Sequence, residues 1–571
     1  MDKAQVHYEV FARRKANAGW TLEIATENRA HAVEQAEDML AEGRAVGVRV
    51  SKETLDEETR EFRSLVILTL GAVDKVKAKK PRDDQQPLCV TPSDLYSIHA
   101  RERIGRLLDS WLTREQATPF ELLHRPDLIE RLDASGMELQ HAIQKIAIPE
   151  AQERGVGVHE VIRTFQRLIK SAIERVLGDA RKGKLPDVDR DGFAQTAERL
   201  TQQPDRVYLL GAGVAATLSR GDGWSEKVNR LLDLADAAPQ SPAARALAFE
   251  VLGQPLAEIL GSRAGLADLL GGSQMDLGQT LAAMTRLAAA EEVELLIGIE
   301  PAVARVMPPL EGPAARLANW LDGPHFEGVR GAIAKRVLGE LNGPRRLRPD
   351  DAEGEIHVLR ALAMALTAAS GRLTPLELVQ EAFIERSRML VRGDFVEAYL
   401  GAGRSAIGEV EALLWLAENV TGGANKRAAA RWISAVIDAL RFEKEMRYGP
   451  DSPAAKLAAL ADLQIAVKRA GFVEEEAAPI REKIGLVGGL VEADAKLVAA
   501  VVKAGAPVLH RLTLLLRLAA GEAAPIGPAA DRARVEAVRM MRSPMVRAEL
   551  AATPDAVEPI RDLMQTVWLA A

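Results

Sequence analysis

Beyond residue 90 the chain keeps one pattern almost to its end. Ala- and Leu-rich segments with apolar residues at i, i+3 and i+4 are broken by Gly or Pro at intervals of roughly 12 to 25 residues. That spacing gathers the apolar side chains on one stripe of an α-helix, so this region reads as helix after helix. Thr118-Pro-Phe-Glu121 and Thr374-Pro-Leu-Glu377 give two helix starts, with Thr at the N-cap, Pro in the first turn and Glu placed to bond back to the cap amide.

The first 72 residues differ. Val6 to Arg13, Trp20 to Thr26, Ala45 to Ser51 and Glu61 to Leu70 are rich in β-formers and alternate in part, as in Val6, Tyr8, Val10 and Val46, Val48, Val50. Between the second and third, Arg29 to Glu42 has helical spacing and Gly43 supplies a C-terminal stop. The expected fold is therefore mainly α, with a small α+β (ββαββ) domain over residues 1–72 in which one helix covers one face of a four-stranded antiparallel sheet. Candidate partners of such a domain are a small ligand, a peptide or a second copy of itself. Lys75-Val-Lys-Ala-Lys-Lys-Pro-Arg82, running into Asp83-Asp84-Gln85-Gln86-Pro87, reads as a charged, solvated linker over 73–90.

Compared with itself, the helical region suggests an internal duplication. Gly183-Lys-Leu185 corresponds to Gly371-Arg-Leu373, and Tyr208-Leu-Leu-Gly-Ala-Gly213 to Tyr399-Leu-Gly-Ala-Gly403. Further on, Leu231-Leu-Asp-Leu-Ala-Asp236 corresponds to Leu413-Leu-Trp-Leu-Ala-Glu418, Leu270-Gly-Gly272 to Val487-Gly-Gly489, and Gly312-Pro-Ala-Ala315 to Gly527-Pro-Ala-Ala530. The order is preserved. The expected organisation is a connecting segment over 91–158 and two helical modules, 159–345 and 350–571, stacked as a solenoid or paired.

Composition narrows the function classes. Hydrophobic residues at 47% and charged residues at 27% are those of a globular protein, and the longest apolar run near the N-terminus, Leu65 to Val73, is too short to span a bilayer. A cytoplasmic location without membrane insertion is expected, in keeping with Cys89 as the single cysteine. A net charge of -7 weighs against nucleic acid as a partner.

Most motif-like stretches have structural readings. Arg206-Val-Tyr-Leu-Leu210 followed by Gly211-Ala-Gly213 looks like a dinucleotide fingerprint but has helical flanks, so a glycine-containing turn between helices is expected. Thr421-Gly-Gly-Ala-Asn-Lys426 lacks the Gly-Lys-Ser/Thr ending of a phosphate loop. The histidines, among them His124, His141, His159 and His325, show no metal-ligand spacing. Asp350, Asp351, Glu353 and Glu355 read as a charged helix start.

One segment stands above this background. Asp187-Val-Asp189-Arg-Asp191-Gly192-Phe193-Ala-Gln195-Thr-Ala-Glu198 fits D-x-D-x-D-G-x5-E and resembles the EF-hand calcium loop. The resemblance implies a single Ca2+ held by Asp187, Asp189 and Asp191, the Phe193 carbonyl, Gln195 through water and Glu198 as bidentate ligand. It departs from the family in Ala194, in Pro186 where the entering helix would run, and in having no second loop.

The function expected from these features is a non-enzymatic helical scaffold or adaptor that binds a protein partner. An all-helical enzyme with an acidic metal-dependent site assembled from several helices is the alternative from another class. Nucleic-acid association through the basic linker and Arg345-Arg346-Leu347-Arg348 is a third.

Overall fold

Alternation decides the first of two compact units, Met1–Leu88 and Cys89–Ala571, in a computed structural model that describes residues 6–14, 20–55, 62–71, 89–271 and 275–569. Strands β1 (Val6–Arg13), β2 (Thr21–Thr26), β3 (Gly47–Leu55) and β4 (Phe62–Gly71) form one antiparallel sheet in the order β2-β1-β3-β4. Val10 and Ala12 of β1 and Val48 and Val50 of β3 point to the same face. There they are buried against Ala32, Ala36 and Met39 of helix α1 (Arg29–Ala41). Asn28 starts that helix by accepting from the Ala30 and His31 amides at 2.9 and 3.4 Å. On the opposite face guanidiniums lie over rings, Arg13 at 4.5 Å from the Trp20 centroid and Arg49 at 5.1 Å from Phe11. The charged segment up to residue 88 lies outside the described residues.

The second unit is helical throughout, and its helices pack chiefly on those near them in sequence. Trp224–Asp236 lies on Pro242–Gly261, Ala406–Asn419 on Gly423–Asp438, Pro453–Arg469 on Glu474–Ala495 and Val508–Ala519 on Pro528–Met541. This is the contact pattern of a serial helical array. One apolar core runs from Phe120 to Val567 and is continuous through Leu341, Leu347 and Ile356, across the expected boundary between modules at 345–350. A second cluster joins Leu108, Trp111 and Leu128 to Val176 and Tyr208, and so ties the segment 91–158 to the helices after it. Among the described residues, no helix is long and apolar enough to cross a membrane.

Within this unit run α2 (Ile98–Leu107), α3 (Pro119–His124), α4 (Val188–Asp191), α5 (Phe193–Leu200), α6 (Arg206–Leu218), α7 (Trp224–Asp236), α8 (Pro242–Gly261), α9 (Glu327–Leu341), α10 (Leu376–Leu390) and α11 (Glu474–Ala495). At α3 the capping box forms as the sequence requires. Thr118 Oγ1 accepts from the Glu121 amide and Glu121 Oε2 from the Thr118 amide, each at 3.1 Å. At Thr374 it does not. Helix α10 begins at Leu376 with Pro375 at the cap position, while Thr374 bridges to Ser370 and its carbonyl accepts from Gly371 N at 2.9 Å. That local turn holds Thr374 away from the helix start.

Three of the five paired motifs share their local structure: Gly183 and Gly371 both have positive φ after a helix, Leu231–Asp236 and Leu413–Glu418 both lie within a helix, and Gly312 and Gly527 both have positive φ where a helix with Pro in its first turn begins. The other two pairs differ. Tyr208 lies near the start of α6, whereas Tyr399 is the next-to-last residue of the helix Gly393–Leu400. Gly211 and Gly213 are inside α6, whereas Gly401 and Gly403 have positive φ just past a helix end. Gly488 and Gly489 are likewise mid-helix in α11, where a Cβ would strike Pro525 and Pro528, whereas Gly271 has φ +79° at a turn.

Cationic side chains recur where helices end. Arg386, fully buried, donates to the Arg345 and Glu340 carbonyls at 2.7 and 2.6 Å, closing the C-terminus of α9. Arg336 donates to Leu260 and Gly261 at the end of α8, at 2.6 and 2.8 Å. Lys426 donates to the Ala417 and Ala470 carbonyls, both at 2.5 Å. Carbonyls unpaired at a helix C-terminus carry partial negative charge, and these side chains supply their missing donors.

Candidate protein-binding cleft

The acidic loop folds as two short helices meeting at Gly192 (φ +82°), and its ligand candidates turn to separate partners. Asp187 caps α4, accepting from Arg190 N at 3.2 Å. Asp189 accepts from Thr217 Oγ1 at 3.0 Å and pairs with Arg220. Asp191 sits between Arg190 at 2.9 Å and Arg199 at 3.3 Å, which hold its carboxyl below the usual range. Glu198 accepts from Ser241 Oγ at 2.7 Å, Gln195 folds back over Gly192, and Phe193 is buried in the core. The six residues are thus not brought together as a ligand cage. Among the described residues no cluster of three or more His, Cys, Asp or Glu is placed to hold a metal. Because a calcium ion would have to break these pairings, millimolar calcium is expected to leave the melting temperature unmoved. A calcium-dependent rise, abolished by Glu198→Gln, would show that the loop rearranges into a cage.

The glycines of the dinucleotide-like stretch serve helix packing, not a turn. A Cβ on Gly211 would lie 2.6 Å from His124 Nε2, and one on Gly213 would strike Val188 and Pro186, so α6 can approach α3 and α4 only with glycine at both positions. His124 is fully enclosed. Its Nδ1 donates to the Phe120 carbonyl at 2.7 Å, and its ring stacks on Tyr208 at 5.7 Å between centroids. Burial pushes its pKa down to about 3, against the pull of that hydrogen bond.

The enclosed imidazole makes stability depend on pH. The unfolded chain takes up a proton at this ring near pH 6.5 while the folded one does not, so the stability it contributes is full above pH 6.5 and falls as pH drops toward 3. His124→Gln is expected to lose less stability than the wild type between pH 7 and pH 5 in parallel denaturant titrations. Equal losses would contradict it.

Beside this cluster lies a cleft of about 1590 Å³. One face of α8 lines it, through Arg245, Ala246, Phe249, Glu250, Gly253 and Ala257, flanked by residues of α2 and α9. Arg101, 4% exposed, donates to Glu258 at 2.7 Å, to the Tyr96 carbonyl at 2.7 Å and to Gln254 at 2.5 Å. The other oxygen of Glu258 accepts from Phe120 N at 2.7 Å, so this carboxylate also closes the N-terminus of α3. Burial pushes the Glu258 carboxyl up to about 7, with the nearby Arg101 charge acting in the opposite direction. Behind it Lys227 of α7 lies 2.8 Å from both oxygens of Glu121 and donates to the Gln116 carbonyl at 2.5 Å. Toward the start of α8, His325 stacks on Phe249 at 4.1 Å and 8°, and Arg245 reaches His325 Nε2 at 3.2 Å.

These polar groups hold helices together, and the surface left open is apolar and small-residue rich, which suits binding more than proton transfer. Of the residues lining the cleft the sequence singled out Thr118 and Pro119 of a helix start, Val207 of the dinucleotide-like stretch and His325 as an isolated histidine. The Arg101–Glu258 pair spans 157 residues and carries no local signature. The other acidic and basic runs are also internally engaged. Asp351 caps the helix Ala352–Ala368, Glu355 is buried beside Arg346 at 2.8 Å, Arg345 pairs with Glu340, and Arg348 pairs with Asp276 and Asp351.

No family model matches the chain, and no solved structure does. Among curated proteins it is similar to a tRNA modification GTPase, MnmE, of Rhizorhabdus wittichii, 32% identical over 269 residues. That match takes in 43% of this chain, and the chain spans a little over half the length of the relative, 56%.

Proposed function

We propose that the helical unit is a non-enzymatic scaffold that binds a protein partner in the cleft along α8. One observation carries this reading: the cleft, at about 1590 Å³, exceeds the roughly 300–1,000 Å³ of small-molecule sites and follows a helix of 20 residues, about 30 Å long. Its space suits a segment of polypeptide. Nucleotide hydrolysis, suggested by the name of the MnmE relative, is not adopted. The stretch nearest to a phosphate loop, Gly178-Asp-Ala-Arg-Lys-Gly183-Lys184, continues with Leu185 where Ser or Thr is required. It also lies at the C-terminal end of the helix Val158–Arg181, where carbonyls rather than amides are unpaired.

The test is affinity capture from the source organism's extract with the full chain and with Ala332→Arg. Ala332 is an exposed α9 residue lining the cleft, so the new side chain occupies the cleft without entering the core. A protein retained by the wild type and lost with the variant supports the proposal. Equal capture by both, or none, rejects it.

A further inference from the structure

The cleft differs in charge from one wall to the other. The wall formed by α2 and the start of the next helix, Asp109–Arg114, presents both signs, with Glu102, Arg106 and Asp109. On the side formed by α8 and α9 stand Arg245, Lys335 and Arg336, with Glu250 as the exposed carboxylate among them. Glu258, also on α8, is already committed to Arg101 and to the Phe120 amide. Between the walls, positions that would otherwise carry bulk are Gly105, Ala246, Gly253, Ala257, Gly328 and Ala332. A Cβ on Gly328 would meet nothing within 4 Å, and one on Gly253 would make only ordinary contact with Val329 and Phe326, so these glycines leave room that neighbouring side chains do not fill.

A trough floored by small residues and running beside a 20-residue helix fits another helix, whose diameter with side chains is about 10–12 Å. Small residues on both partners let two such cylinders approach closely, as ridges and grooves interlock. An extended strand would need an unpaired sheet edge to satisfy its backbone, and the cleft is walled by helices whose backbone groups are already bonded internally. A helix brings its own backbone bonds and asks only for an apolar stripe and matching charge at the rim.

We infer that the occupant of this cleft is an amphipathic α-helix of a partner protein, with small apolar residues facing α8 and acidic residues along the edge that meets Lys335 and Arg336. The inference rests on the proposed protein-binding role and adds the chemistry of the partner. Arg336 keeps its bonds to the end of α8, and its charge, with that of exposed Lys335, sets the preference for the acidic edge. Arg245 over Phe249, 5.2 Å from the ring centroid, offers a flat cationic and aromatic surface for the same edge further along α8.

The experiment places a photo-crosslinking p-benzoylphenylalanine at Glu250, an exposed residue at the cleft rim, in the full chain, irradiates it in the source organism's extract and sequences the attached peptides. A synthetic peptide of the captured segment is then titrated against the purified chain. The expected adduct is one partner segment with small apolar residues at i, i+3 and i+4 and Asp or Glu along one side. Its peptide should gain helicity on binding, lose at least about tenfold in affinity with Lys335→Glu, and recover when its acidic residues are changed to Lys. Lys335 is exposed, so this variant leaves the core intact, and circular dichroism confirms its fold. A basic or extended segment, nucleic acid, or a second copy of this chain in the adduct overturns the inference. Loss of the captured protein with Ala332→Arg, together with a segment of the wrong chemistry, would leave the scaffold reading standing while removing this one. Absence of any adduct removes both.

Discussion

Lys227→Met is expected to destabilise the helical unit by about 3–5 kcal/mol, the cost of breaking a buried ion pair at one partner. Lys227 is 3% exposed and Glu121 is fully buried, so neither charge has recourse to water. Met replaces the aliphatic stem but leaves the Gln116 carbonyl without its donor and Glu121 with only Arg125, at 2.9 Å, and the Thr118 amide. Desolvation already pulls the Lys227 pKa down against the attraction of Glu121, which marks how far the pair depends on mutual neutralisation. Removing both charges in Glu121→Gln/Lys227→Met should cost clearly less than the two single changes added together. Denaturant midpoints of the four proteins supply the cycle, and additive losses would contradict it.

Arg386→Leu should cost about 2–6 kcal/mol, because two partly buried carbonyls lose their donor at about 1–3 kcal/mol each and the shorter side chain leaves space. The loss should be local in its dynamics. Amide exchange is expected to rise first over residues 338–346, the end of α9 that Arg386 holds through Glu340 and Arg345. Arg386→Lys keeps the charge but not the planar fork that reaches two carbonyls, and should fall between the wild type and Leu. Unchanged exchange at 338–346 in the Leu variant would show that the cap does not support the helix end.

The first unit was legible because its signal is local. Period-two alternation at Val6 to Arg13 placed β1, and Val48 and Val50 revealed the buried face of β3, since a strand's two faces are written in neighbouring residues. The helix start at Thr118 was legible for the same reason. Thr374 was not, because its competing turn involves Ser370 and Gly371, which a four-residue capping pattern does not weigh. Asp189 and Glu198 of the acidic loop take partners supplied from elsewhere. Thr217, Arg220 and Ser241 all lie outside the segment, so a twelve-residue match could not see them. Likewise nothing in Gly211-Ala-Gly213 states that His124 and Val188 press against it. The cleft was invisible throughout, being built from α2, α8 and α9, segments separated by more than a hundred residues at their extremes.

The cations at helix ends bear on how such a chain can be shortened. In a simple repeat array a terminal helix can be removed and the remainder simply has a new end. Here Lys426 hangs between the Ala417 and Ala470 carbonyls, and Arg336 of α9 fastens the end of α8, more than seventy residues earlier. A cut between 426 and 470 deletes a carbonyl and leaves a half-buried ammonium with half its acceptors, so the damage appears on the retained side. Fragments that respect these crossings should behave as proteins, and those that sever one should not, whatever the neatness of the helix boundary at which they end.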